Sequence, residues 1–203
     1  MNINSTIKAL EKKHYKVSYF ATSEEAACYL DNQIDGKTVG FGDSYTLDNL
    51  NLYERLSKHN KVYDPNQCQD NDGFLQIAKK CLTADVFLTS VNGMSETGEM
   101  VNIDGTGNRI AGSLFCHDTV YFVIGTNKIR PTLDDAIYRA RNIAAPHNAK
   151  RLGLSTPCAM ADNKRCYNCN SSDRICNALT IYYRKMNDID NVEIILIDEA
   201  LGY

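Results

Sequence analysis

The stretch Thr119-Val120-Tyr121-Phe122-Val123-Ile124, followed directly by Gly125-Thr126-Asn127-Lys128, decides the fold class. A continuous run of β-branched and aromatic residues that stops at a glycine is too short for a buried helix. It also lacks the alternation of a strand with one wet face, so it predicts a strand buried on both sides. Downstream, Leu133, Ala136, Ile137, Ala140, Ile143 and Ala144 recur at helical spacing. That stripe is expected to end at Pro146, whose ring and missing N–H break an α-helix. Buried strand, polar glycine loop and long amphipathic helix in succession make one strand–helix unit.

The unit recurs upstream. Lys37-Thr38-Val39-Gly40-Phe41-Gly42 reads as a buried strand entering a glycine turn, and Leu47 to Leu56 returns to helical spacing. Phe74, Ile77, Ala78 and Cys81 fall at i, i+3, i+4 and i+7, predicting a helix that feeds the strand Asp85 to Val91, itself closed by Asn92-Gly93. Nearer the start, Ile3, Ile7 and Leu10 share a helical face, and Lys16 to Phe20 is a short strand. Ser23 with Glu24 and Glu25 predicts an N-cap opening a helix through Leu30. A helix or strand follows Cys176, and Val192 to Ile197 is a final strand. Such alternation predicts an α/β fold, a mostly parallel sheet covered by helices on both faces, with residues 1–203 forming one domain.

Composition narrows the classes of partner. With 203 residues, 43% of them hydrophobic, the chain can bury a full core without disulfides. A net charge of −3 supplies no field that would recruit nucleic acid or an anionic membrane. The longest apolar runs fall far short of the roughly 20 residues that span a bilayer. Met1 to Lys13 lacks the apolar core of a signal peptide, so a cytoplasmic location is expected. Subunit number is not readable from these features.

Three polar, glycine-rich segments follow predicted strands, and in open α/β sheets such loops gather at a ligand crevice. In the first, Gly40, Gly42 and Ser44 can turn the backbone tightly and offer amide N–H groups and a hydroxyl to an anion, or the glycines simply make a turn. The second, Asn92 to Arg109, ends in Asp104-Gly105-Thr106-Gly107-Asn108-Arg109. Glu96 and Asp104 are candidate acid/base or nucleophilic carboxylates, and Arg109 a candidate clamp for a carboxylate or phosphate. The alternative is that Asp104 caps a helix and Arg109 neutralises it. Lys128, in the third, can balance a ligand anion or be solvated. His14, His59, His117 and His147 are isolated from one another in sequence and are assigned no metal. Together these loops predict one pocket for a small anionic substrate.

Four of the eight cysteines, Cys158, Cys166, Cys169 and Cys176, crowd into the polar stretch from about 156 to 177. A C-x-x-C pair can chelate one metal from a single turn, and two flanking thiolates can complete the site. Lys164, Arg165 and Arg174 would favour the thiolate forms. An iron–sulfur cluster, with four irons favoured, and zinc both suit these ligands; a simple redox pair at Cys166 and Cys169 or free thiols are the plainer readings.

Several segments carry a resemblance. Val86-Phe87-Leu88-Thr89-Ser90-Val91-Asn92, Glu96-Thr97-Gly98, Val101 through Arg109 with its Asn-Ile-Asp-Gly-Thr-Gly-Asn-Arg core, Gly125-x-Asn127-Lys128-Ile129, Arg141 to Leu152, Thr156-Pro157-Cys158 and Leu201-Gly202-Tyr203 resemble the lactate-utilisation (LUD) domain family across nearly the whole chain. The resemblance implies a fold similar to ribose-5-phosphate isomerase and the CoA transferases. In those relatives a Gly-x-Gly-Ser/Thr loop holds a phosphate or coenzyme oxygen; Gly40, Gly42 and Ser44 fall at the comparable place, with Asp43 intruding. It also implies a bacterial setting in which a short LUD protein accompanies larger iron–sulfur subunits that oxidise L-lactate to pyruvate. Short members carry the same cysteine-rich segment, which favours a bound metal there.

Two function classes follow. In one, the chain is an accessory component or subunit of lactate oxidation, working beside iron–sulfur oxidoreductase subunits. A chain with no dinucleotide fingerprint has no evident place of its own for a hydride. In the other, it is an independent enzyme on a sugar phosphate, organic acid or coenzyme thioester, with Glu96 or Asp104 reacting and structural zinc on the cysteines.

Overall fold

The computed structural model describes residues 2–163 and 165–203. Its elements in chain order are α1 (Ile3–Lys12), β1 (Lys16–Phe20), α2 (Ser23–Gln33), β2 (Thr38–Phe41), α3 (Tyr45–Asn49), α4 (Leu52–Leu56), β3 (Lys61–Tyr63), α5 (Asn71–Cys81), β4 (Val86–Thr89), β5 (Gly93–Ser95), β6 (Met100–Asp104), α6 (Asn108–Leu114), β7 (Thr119–Gly125), β8 (Ile129–Arg130), α7 (Leu133–Arg139), α8 (Ala145–Arg151), α9 (Pro157–Met160), β9 (Ala178–Tyr182) and β10 (Asn191–Ile197).

Six strands form one sheet in the order β1-β10-β7-β4-β2-β3, every neighbouring pair parallel. The decisive run sits as β7 near its centre, between β10 and β4. Its residues alternate between two cores, as the period of two requires. Tyr121 and Val123 join the cluster made with Ala26 and Leu30 of α2, Leu47 of α3 and Leu52 of α4. Val120, Phe122 and Ile124 face the other way, toward Leu10 of α1 and Cys81 of α5. The α/β expectation therefore holds, with six parallel strands flanked by helices.

The second face differs from the expectation of helices alone. A small four-stranded sheet, ordered β8-β5-β6-β9 with β6 antiparallel to both neighbours, shares that core through Met94, Met100, Ile129 and Tyr182. Phe122 meets Tyr182 edge-on, ring centroids 5.5 Å apart. The strands of this sheet are as short as two residues and are drawn from distant parts of the chain. No periodicity in a local window reports such pairing.

Four boundaries also shift. Thr22, not Ser23, caps α2: its hydroxyl accepts from Glu25 N at 3.2 Å while the Glu25 carboxylate accepts from Thr22 N at 3.3 Å, a capping box that starts the helix one residue earlier, and the helix runs on to Gln33. Leu47 to Leu56 is two short helices, because Asn51 adopts a left-handed backbone with φ 49°. Strand Asp85 to Val91 contracts to β4, releasing Ser90 to Asn92 into a loop. Pro146 does not end its helix. A π-helical turn, Ala140–Ala144, precedes α8, and Ala145 N bonds back to Ala140 O, so the wider turn carries the chain past a residue with no N–H to give. After Cys176 the element is a strand, β9, and the polar stretch before it contains the single turn α9. Among the described residues no helix is long and apolar enough to cross a membrane.

Candidate functional site

Because the large sheet is all parallel, the loops after β2, β4, β7 and β10 leave from the same edge. A cavity of about 140 Å³ opens there, lined by Ser44 and Thr46 after β2, Ser90 and Asn92 after β4, Lys128 after β7 and Tyr203 after β10. Its remaining wall comes from the β6–α6 loop, with Asp104, Gly105, Thr106, Asn108 and Arg109, and from Asn148 and Arg151 of α8. The stacked rings of Tyr45 and Tyr203, 5.3 Å between centroids, stand at the rim, where Tyr45 is exposed.

Lys128 is the most unusual group in this site. A 3-10 turn, Thr126–Lys128, between β7 and β8 carries it inward, and its side chain is buried. Nζ donates to Thr46 Oγ1 at 2.8 Å and Ser90 Oγ at 2.9 Å, and among the described residues it forms no ion pair with a carboxylate. Burial first, then the positive charges of Arg139 and Arg109, push its pKa well below the ordinary lysine value. Ser90 Oγ in turn donates to Val123 O at 2.6 Å, and Ser90 O accepts from Asn102 Nδ2 at 3.1 Å, so both sheets fix the loop under the amine.

Arg139 ties the loops together from below. It lies one turn after Ala136 on the buried side of α7 and donates to the carbonyls of Asn127 and Asn92, the loops after β7 and β4. Burial holds its pKa down, to about 10.

The expected site residues divide. Ser44, Asp104, Gly105, Thr106, Asn108, Arg109 and Lys128 all line the cavity. Asp104 does so as a helix cap: Oδ2 accepts from the backbone N–H of Arg109 and of Ile110, each at 3.1 Å, and Oδ1 lies 4.0 Å from Arg109 Nε. That is the capping alternative, which commits this carboxylate to the protein. Arg109 also donates to Ile103 O, leaving other N–H groups of its five-donor fork for a ligand. Gly107 begins α6 with φ 92°, a conformation L side chains avoid.

Four expected residues, Gly107 among them, do not line the cavity. Glu96 lies in the β5–β6 turn, where its N–H donates to Arg130 O and the neighbouring Gly98 packs on Ala9 and Lys13 of α1. Gly40 is small because a Cβ would come within 2.8 Å of the Cys81 carbonyl, and Gly42 because one would meet Thr89 Oγ1 at 2.8 Å. Both glycines allow close packing against α5 and β4. The sequence reading in turn missed Thr46, Asn148, Arg151 and Tyr203. Ser90 and Asn92 were legible as polar residues ending an apolar strand.

The cysteine segment docks beside this wall: a Cβ on Gly105 would meet Ile175 O at 3.0 Å, and Ile175 itself lines the cavity. Cys166 and Cys176, with Arg141 and Arg174, border a second cavity of about 240 Å³. Asn168 N donates to Cys166 Sγ at 3.3 Å, and Arg141 Nη2 lies 4.0 Å from that sulfur. Burial raises the Cys176 pKa; Arg174 opposes this, and Cys166 and Cys169 add to it, so the three sulfurs are within electrostatic reach of one another. Cys158 lies in α9 with Sγ 3.3 Å from Thr156 Oγ1. Among the described residues no three potential ligands already converge closely enough to hold an ion. N–H and guanidinium donors around soft sulfur nevertheless suit thiolates bound to a metal. Lys164, expected to aid them, lies outside the described residues.

The histidines serve structure at His117, whose Nδ1 lies 2.7 Å from Ala84 O with its ring stacked on Phe87, and at His59, between Asp31 and Asp35.

Comparison with known proteins agrees with the architecture. No curated protein matches the sequence. A crystal structure of a DUF162 family protein from Deinococcus radiodurans superposes with a TM-score of 0.54 at 12% identity, covering 96% of this chain and 95% of that one, a likeness of fold. The model of the LUD domain matches residues 3–197, and the chain belongs to the LUD domain family, which is associated with lactate utilisation.

Proposed function

We propose that the chain binds a small carboxylate bearing an oxygen on the adjoining carbon, as in lactate, and works as an accessory component of lactate oxidation beside iron–sulfur oxidoreductase subunits. The observation that carries this is Lys128, buried at the cavity without a carboxylate partner among the described residues and sharing that cavity with Arg109. In this reading Arg109 offers its fork to the carboxylate, and Nζ of Lys128, already bonded to Thr46 and Ser90, meets the α-oxygen at its remaining position. Asp43 lines the cavity too, and a singly charged carboxylate meets less repulsion from it than a doubly charged phosphate. With Asp104 engaged in capping and Glu96 outside the cavity, neither expected carboxylate is placed as the acid or base of an independent isomerase or transferase.

Calorimetric titration with L-lactate tests the binding. Arg109→Ala is expected to weaken it about 10- to 100-fold, the worth of a charge-assisted hydrogen bond, and Arg109→Lys to fall between. Equal affinity in all three proteins would overturn the assignment.

Cys166, Cys169 and Cys176, completed by Cys158, would hold the metal centre, an iron–sulfur cluster ahead of zinc. Such a cluster supplies one-electron transfer when bound. The chain's own contribution is the N–H of Asn168 and the guanidinium groups of Arg141 and Arg174, which stabilise sulfur as thiolate. Protein purified without oxygen should be brown for a cluster and colourless for zinc, and Cys169→Ser should lose most of the metal by elemental analysis. Full occupancy in all four single Ser variants would place the metal elsewhere.

A further inference from the structure

A neutral amine has two N–H donors and one lone pair, and the surroundings of Lys128 match that count. Its Nζ gives one hydrogen bond to Thr46 Oγ1 and one to Ser90 Oγ, at 2.8 and 2.9 Å. Ser90 spends its own hydrogen on Val123 O, so its oxygen acts as acceptor toward the amine. A third N–H, which an ammonium would carry, has no anionic acceptor among the described residues. Lysines are placed this way, desolvated and beside other cations, where the amine serves as a nucleophile. The depressed pKa described above agrees with the geometry.

The cavity around the amine sets the class of electrophile. Its volume of about 140 Å³ accommodates a small organic acid beside the amine. Arg109 on the same wall suits a carboxylate. A carbonyl carbon one bond from a carboxylate satisfies both groups at once.

We propose that Lys128 captures a small 2-oxo acid as a reversible covalent imine. The Nζ lone pair forms a C–N bond to the carbonyl carbon as the C=O π pair moves to oxygen. Both nitrogen hydrogens leave with that oxygen as water, and the nitrogen lone pair forms the second C–N bond, giving C=N. Amine plus ketone becomes imine plus water, with no oxidant or reductant required. Thr46, bonded to the nitrogen, is the hydroxyl that can pass protons between it and the departing oxygen. The inference rests on the carboxylate reading above but goes beyond it, since a hydroxy acid has no carbonyl to attack.

Borohydride reduction of the whole protein incubated with pyruvate, the smallest stable 2-oxo acid, tests this. The expected result is a mass gain equal to pyruvic acid less one oxygen, one adduct per chain, mapped by peptide digestion to Lys128. Lactate with borohydride should give none, and Lys128→Arg should lose the adduct. Labelling spread over surface lysines without preference for Lys128 overturns the proposal. So does the absence of labelling when calorimetry shows that pyruvate and lactate both bind, a result that leaves the carboxylate reading standing. If neither acid binds, both fall together.

Discussion

Lys128→Met is expected to make the protein more stable and to strip the cavity of its ligand. Methionine keeps the length of the side chain but removes an amine that the fold buries beside Arg109 and Arg139 without a carboxylate among the described residues. Relief of the desolvation cost of the buried amine is worth about 1–3 kcal/mol near neutral pH, whereas loss of the amine that meets the α-oxygen should weaken lactate binding by tenfold or more. The pH dependence identifies the cause. A lysine whose folded pKa is depressed binds fewer protons folded than unfolded between the two values, so wild-type stability rises with pH through that window. The limiting slope is about 1.4 kcal/mol per pH unit. The advantage of the variant should therefore shrink as pH rises from 7 toward 9 in urea titrations. Above pH 9 Cys81, whose thiol burial pushes up to about 11, works in the opposite sense in both proteins and cancels in the difference. A difference that stays flat with pH would show that burial does not disfavour the Lys128 ammonium.

Phe122→Ala should cost about 3–5 kcal/mol, enough to remove much of the stability of an ordinary domain. Phe122 is 1% exposed on β7, and its ring fills the interface between the two sheets against Tyr182 of β9. Tyr182 adds a 2.6 Å hydrogen bond to Ser113 of α6, so the cavity left by truncation lies under the helix that begins at the Arg109 wall. Chemical denaturation should show the loss directly, and lactate affinity should fall with it even where the folded state is saturated. Phe122→Leu, which keeps most of the volume, should recover at least half of the stability. A loss below 1 kcal/mol for the alanine variant would mean that the sheets are not held together at this ring.

Much of this architecture was legible because its signals are local. The apolar run of β7, the helical spacing of α5 and the Ile3, Ile7, Leu10 face each express burial through side chains a few residues apart. Parallel strands then carry their following loops to one edge, so Ser44, Arg109 and Lys128 could be expected to meet before any distance was known. The local pattern is incomplete where a distant partner shapes the position. Pro146 reads as a stop until the π-helical turn Ala140–Ala144 accommodates it. Gly40 and Gly42 look like a ligand loop until Cys81 and Thr89 are found against them. Glu96 looks like chemistry until its turn is seen packed on α1.

By itself the sequence determined the strand–helix alternation, the family resemblance and the inventory of polar groups on three loops, because backbone preference and hydrophobic period act within a turn or two of chain. Only the tertiary structure decided what those groups are. It committed Asp104 to capping α6, drew Arg139 beneath two loops and buried Lys128 between two hydroxyls at the cavity. Protonation and hydrogen bonding depend on the dielectric and the neighbours within a few ångströms, and the neighbours of Lys128 lie 38 and 82 residues away in the chain.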